Sequence, residues 1–204
     1  DLLTTIANAT LGEKPLSQSY LDGSWLLIIF AGNDTTRNSL SGTIRLLTEY
    51  PEQRQMVLDD RSLIERMSHE ALRMVSPVMH MRRTAMEDTE IAGQRIAKDE
   101  KVIMWYGAAN RDASVFPNPD QFDMMRDNVD KHLAFGHGVH RCLGNRVAQL
   151  QLKMAYERIL ERFPNIYWTG KQKIEPIILV HAISSLQVNL YGKDGKRPIM
   201  VATS

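Results

Sequence analysis

The segment Phe135–Ala148, FGHGVHRCLGNRVA, constrains this chain more than any other stretch, and it holds the only cysteine. Gly136, Gly138 and Gly144 strip side chains from the neighbourhood of Cys142. Backbone N–H groups can then turn toward the sulfur, and a flat, bulky partner can lie against the loop. The residues beyond Cys142 read as a helix running to about Phe163, because Leu143, Val147, Leu150 and Met154 recur at spacings of four, three and four. Cys142 therefore stands just before a helix start, where the helix dipole favours negative charge.

Three chemistries suit such a thiol. It can be a buried structural cysteine, since free Cys is among the most buried residue types. It can be a nucleophile, with His137 or His140 as its base. It can be a metal ligand; a lone Cys is wrong for structural zinc, which wants several Cys or His, but suits the axial position of a haem. The loop alone leaves these open, although three glycines argue against a plain core position.

Bulk properties narrow the field elsewhere. A chain of 204 residues suits one or two domains and can bury a sizeable core. A net charge of +1 gives no reason to expect nucleic acid or an anionic membrane as main partner. One cysteine cannot form an internal disulfide. The longest apolar run, Trp25 to Ala31, is too short to span a bilayer, so no transmembrane segment is expected. The opening DLLTTIANAT contains no Met and reads like the middle of a helix, which suggests a fragment.

A long helix is expected from Leu16 to about Tyr50, ended by Pro51. Leu40, Ile44 and Leu47 give it helical spacing, but its middle, AGNDTTRNS, is full of poor helix formers. Small residues there let a ligand approach the backbone, and a Thr hydroxyl can bond a carbonyl four residues back and bend or open the helix. Ser62–Val75 reads as a second amphipathic helix carrying Glu70 and Arg73 on one face. Short strands are expected in HMRRTAM, in TEIAG with QRIAK, and in KVIMWYG, then an irregular winding loop over NRDASVFPNPDQFDMMRDN. IEPIILV and SSLQVNLYG read as a C-terminal strand pair. The expected class is mainly α with small β-sheets, an α+β arrangement.

These motifs, in this order, resemble the cytochrome P450 family. FGHGVHRCLGNRVA matches the family's haem-ligand loop at Phe135, Gly136, Gly138, His140, Cys142, Gly144 and Ala148. The resemblance implies haem b (iron protoporphyrin IX) held by Cys142 as proximal thiolate, with Phe135 shielding the sulfur and His140 reaching a haem propionate. AGNDTT resembles the distal-helix signature, with Ala31, Gly32, Asp34 and Thr35 in register. It implies Thr35 as the hydroxyl that hydrogen-bonds dioxygen and Asp34 as the acid gating proton delivery. Glu70 and Arg73 match the family's core ion pair, a structural element, whose usual third partner is a basic residue in the winding loop. Gln121 stands there instead, so the pair is expected to lack a charge or to borrow one nearby. Arg83, in the strand after the second helix, matches a propionate-binding arginine, with Arg82 on the opposite face.

The resemblance covers nearly the whole chain but only the C-terminal half of a family member, so residues 1–204 are expected to be part of a single haem-binding domain. Its wording is closest to the bacterial soluble branch that hydroxylates alkanes and fatty acids at the chain end, with sterol-side-chain hydroxylases as near neighbours. That implies a cytoplasmic bacterial monooxygenase using O2, with a ferredoxin and ferredoxin reductase delivering electrons from NAD(P)H. Leu27, Phe30, Ala31, Val78, Met79, Val180 and Ala182 are the expected pocket residues, all apolar, with His80 and His181 as candidate contacts for a polar head. A haem-binding sensor without oxygenase activity is the alternative from another class. Asp34 and Thr35 argue against it, since a sensor has no use for a proton relay. A cysteine hydrolase would need a third residue orienting its histidine, and none is visible.

Overall fold

A computed structural model describes residues 2–193 of the chain. They divide into two compact units, one ending at Asp34 and the other beginning at Thr35. The first unit opens with helix α1 (Leu2–Ala7), shorter than the expected helix interior, because the chain turns at Gly12 into a hairpin of β1 (Thr10–Leu11) and β2 (Lys14–Pro15). A positive φ of 63° at Gly12 allows that turn without a Cβ clash. Helix α2 (Gln18–Glu49) comes next and carries the unit boundary. It is helical throughout, so the weak formers of AGNDTT do not open it. In the first unit its Leu26, Leu27, Ile29 and Phe30 are exposed, Leu26 by 71%.

In the second unit α2 buries Leu46 and Leu47 into the core. Gly42 is needed there, since a Cβ on it would lie 2.5 Å from a Val75 methyl. Pro51 ends α2 as expected but also begins α3 (Pro51–Asp59), which the sequence had not signalled; proline's fixed φ and missing N–H suit the first helical position. Asp60 accepts the Ser62 N–H at 2.9 Å and opens a 3-10 turn, Arg61–Leu63, that feeds α4 (Ile64–Val75). Ser76 stops α4 in the left-handed region at φ 43° and donates its hydroxyl to the Arg73 carbonyl at 2.9 Å.

The short strands fall where expected. β3 (His80–Thr84), β4 (Thr89–Ile91), β5 (Gln94–Ile96) and β6 (Lys101–Trp105) form two antiparallel pairs, β3 with β6 and β4 with β5. Helix α5 (Tyr106–Ala109) leads into the winding loop, which is free of helix and strand, and a 3-10 turn, Gly138–His140, precedes α6 (Asn145–Arg162).

Two expectations need correcting. Of the expected apolar stripe, Leu143 precedes the helix and is 91% exposed, and Val147, Leu150 and Met154 lie in α6 but are also exposed, away from the core. The buried face is Leu152, Tyr156 and Leu160, packed with α2, α3 and α4 residues such as Leu46, Val57 and Met67. The C-terminal pair is β7 (Tyr167–Glu175) with β8 (Ala182–Asn189), so PIILV is not strand. Pro176 lacks the N–H a ladder needs. The turn after it is held elsewhere, through an antiparallel bridge between Val78 and Val180.

Candidate functional site

Cys142 is exposed and is the only thiol. Its backbone N–H donates to the Phe135 carbonyl at 2.8 Å, closing the loop. At the far side its carbonyl accepts the Asn145 side-chain amide at 2.6 Å, at the first residue of α6. Gly136 and Gly138 both sit at positive φ, 69° and 68°. A Cβ at Gly136 would also approach the Tyr106 hydroxyl to 3.3 Å, and one at Gly144 would stand 4.0 Å from the Cys142 sulfur. Val139 is 98% exposed, so two bulky apolar side chains, Val139 and Leu143, flank the thiol with nothing packed on them among the described residues.

This surface fits haem. The thiol is accessible, the glycine backbone is open, and apolar groups await cover. As a lone, exposed thiol, Cys142 has the chemistry of a single axial haem ligand. Phe135 is half-buried and packs against the core beside His132. His140 is exposed at the end of the 3-10 turn, and Ala148 lies in the first turn of α6, its N–H on the Gly144 carbonyl at 2.9 Å. Arg83 and His137 line one cleft of about 210 Å³ with Met104, Trp105, Tyr106, Ala109 and Leu133.

Glu70 and Arg73 form a fully buried bidentate pair, with both N···O distances 2.8 Å. Arg73 uses all five of its N–H groups: the others go to the carbonyls of Asn110, Pro119 and Gln121 at 2.7, 2.7 and 3.0 Å. The borrowed charge is Arg126, whose Nε donates to Glu70 at 3.2 Å. Gln121 contributes only its carbonyl, which also accepts from Arg126, and its side chain is exposed. The arginine pair thus supplies the partners that a winding loop without ladders needs for its buried carbonyls. Arg126 was missed because its spacing from the Glu70 helix carries no local signal.

Two further hubs carry no signal in the sequence. Asn110, fully buried, accepts the Leu133 N–H at 2.6 Å and donates to Ser76 Oγ at 2.8 Å, tying the end of α4 to the approach of the cysteine loop. Beside it His132 Nδ1 accepts the Ala134 N–H at 3.3 Å, so its Nε2 carries the proton and donates to His69 Nδ1 at 3.2 Å. Burial pushes His132 down to about 3, helped by His69, Arg141 and Arg73 against Asp130. Burial also lowers His69, against Glu65 and Asp130 and with Arg141 and Arg66. Both histidines are depressed relative to the unfolded chain. Their contribution to stability is therefore whole above about pH 6.5, the unfolded value, and declines as pH falls toward 3. His132→Gln should flatten the loss of stability between pH 6.5 and 4, measured by urea denaturation at each pH; an unchanged slope would contradict the pairing.

The turn residues expected to border a pocket are brought together. Val78 bridges Val180, Met79 N–H donates to the Leu179 carbonyl at 3.0 Å, and His181 N–H to the Pro77 carbonyl at 2.8 Å. Ala182 begins β8. His80 stacks edge-on against Trp105, and His181 Nδ1 lies 3.5 Å from the Val75 carbonyl, so neither imidazole is simply solvated. Leu27, Phe30 and Ala31 lie on α2 in the first unit, exposed; Asp34 ends that unit and Thr35 begins the second. The Thr35 carbonyl accepts the Ser39 hydroxyl at 2.7 Å, and the Ser39 carbonyl that of Thr43 at 2.7 Å, bonds of the helix-bending type.

Comparison with known proteins identifies the family. The model of the cytochrome P450 family matches residues 1–188. Linalool 8-monooxygenase of Pseudomonas putida is 40% identical over 193 residues, covering 95% of this chain and 47% of that protein. The structure of cytochrome P450-153 from Novosphingobium aromaticivorans superposes with a TM-score of 0.79 at 42% identity, over 89% of this chain and 44% of that one. P450BioI, solved in complex with hexadec-9Z-enoic acid ligated acyl carrier protein, gives 0.82 at 36% identity, over 85% and 45%. The chain thus spans about half the length of the relatives it matches. No helix among the described residues is long and apolar enough to cross a membrane. With its α+β architecture, its glycine loop around one exposed thiol and its buried Glu70–Arg73 pair, the chain belongs to the cytochrome P450 family.

Proposed function

We propose that residues 1–204 are the haem-binding C-terminal part of a monooxygenase that hydroxylates an unactivated C–H bond of an alkane or fatty-acyl chain, at its end. The observation that carries the reading is the exposed Cys142 in its glycine loop, in a chain of this family. Haem b, when bound, supplies the oxygen chemistry, and thiolate donation favours O–O cleavage. Cys142 would hold the iron, Phe135 would shield the sulfur, and the bare backbone at Gly136 and Gly144 would leave room for the macrocycle. Arg83 and His140 would bind its propionates. Thr35 would offer a hydroxyl hydrogen bond on the distal side and Asp34 would hold and deliver a proton there. Electrons come from NAD(P)H through a ferredoxin reductase and a ferredoxin, in the cytoplasm of a bacterium.

The substrate is a flexible apolar chain. Val78, Met79, Val180 and Ala182 offer no charge to a ligand, and a buried unpaired charge would be costly. Linalool and hexadec-9Z-enoic acid, named with two of the relatives, are both acyclic chains, which supports the reading. Burying each methylene contributes about 0.8 kcal/mol, so affinity should rise roughly fourfold per carbon until the pocket is full. The test titrates the haem-loaded enzyme carrying this chain with alkanes and fatty acids of increasing length, following the low- to high-spin shift, and identifies products. Tight sterol binding without response to linear chains would reassign it to sterol-side-chain hydroxylation. Haem binding with no oxygenated product from any lipid would leave a sensor.

A further inference from the structure

Asn38 lies three residues beyond Thr35 on α2 and is fully buried. Its Oδ1 accepts the N–H of Ile183, 145 residues later, at 2.8 Å. The amide orientation is fixed by the donor it faces, since a flipped Nδ2 would meet another N–H. Nδ2 is then enclosed without a hydrogen-bond partner among the described residues. Burying an unpaired N–H is unfavourable, and a leucine of similar size would avoid it, so this carboxamide answers to Ile183 alone.

Ile183 is the second residue of β8, opposite Ile174 of β7, and directly follows the Leu179–Ala182 segment. One side of that segment is fixed by backbone to Pro77–Met79, through the Met79 and His181 N–H bonds and the Val78–Val180 bridge. On the other side, the Asn38 side chain ties the segment's end to the helix that carries Thr35. We propose that Asn38 is a positioning residue for regiochemistry: it sets the span between Thr35 and the Val180–Ala182 turn, and so decides which carbon of a bound chain stands at the reacting position. The proposal rests on the reading that this turn borders the substrate. Small displacements suffice, because reacting groups must meet within a few tenths of their contact distance.

The test uses the haem-loaded enzyme carrying this chain, lauric acid and undecane as probes, and Asn38→Leu against Asn38→Asp, which keeps the acceptor. Asn38→Leu should speed amide hydrogen exchange at Ile183 and leave the reduced, CO-bound spectrum unchanged. It should also raise in-chain over terminal hydroxylation roughly threefold to tenfold, the range spanned by one net hydrogen bond. Asn38→Asp should restore slow exchange and the original ratio. If Asn38→Leu does not fold, Asn38→Ala takes its place. Val180→Phe tests the pocket itself. A changed ratio in Val180→Phe with none in Asn38→Leu overturns the proposal, as does a ratio that Asn38→Asp fails to restore. No change in Val180→Phe, or no product from either probe, overturns the substrate reading and this inference with it.

Discussion

Replacing Arg73 by leucine should leave little folded protein. The substitution strands the Glu70 carboxylate in a fully buried position, with Arg126 at 3.2 Å as its remaining ionic partner. It also strips the carbonyls of Asn110, Pro119 and Gln121 of a donor in one step. Breaking a buried pair from one side costs about 3–5 kcal/mol, a large share of the roughly 5–15 kcal/mol that stabilises a typical domain. Arg73→Lys should rescue poorly. A lysine has three donors and no planar fork, so it cannot hold Glu70 bidentately and also reach carbonyls on two sides. Gln121→Ala is the control. Its side chain is exposed and only its carbonyl takes part, so stability should stay within about 0.5 kcal/mol of the original. Denaturant melts of the three variants check this, and an Arg73→Leu protein as stable as its parent would show that the cluster is not what secures the winding loop.

The members of this cluster were unequally legible in the sequence. Glu70 and Arg73 stand three apart on one helix, so their pairing could be read locally. That Arg126 would reach the same carboxylate could not, because nothing in a winding loop of irregular spacing says which residue turns inward. The same holds for α6. Val147, Leu150 and Met154 mark a helix correctly, although Leu143 precedes it, but Leu152, Tyr156 and Leu160 form a second stripe, and it is the second that meets the core. Periodicity reports that a helix exists; which face is buried depends on neighbours distant in sequence. β7 was misplaced because YWTGKQKIE is polar and interrupted at Gly170, where φ is 87° and the pairing with β8 shifts register. The hubs at Asn38, Asn110 and His132 link residues 145, 23 and 63 positions apart, and each looks like an ordinary polar residue in its own segment. By contrast the cysteine loop is read almost whole from fourteen consecutive residues, since its glycines answer to local φ and its geometry closes on itself through Phe135 and Asn145.

The role of Cys142 is the central claim, and its loss has the largest effect expected of any substitution here. The loop holds the sulfur by bonds to its backbone, from Cys142 N–H to Phe135 and from Asn145 to the Cys142 carbonyl, and these survive replacement by serine. Cys142→Ser therefore changes one atom at an exposed position without removing packing, and the fold should be retained. What should vanish is thiolate ligation, because a serine hydroxyl neither ionises near neutral pH nor donates electron density as a thiolate does. The direct measurement is the optical spectrum of the reduced, CO-bound haem protein that carries this chain, before and after Cys142→Ser. A strongly red-shifted Soret band in the parent, absent from the variant, is the predicted result; the same band in both proteins, or in neither, would contradict the assignment.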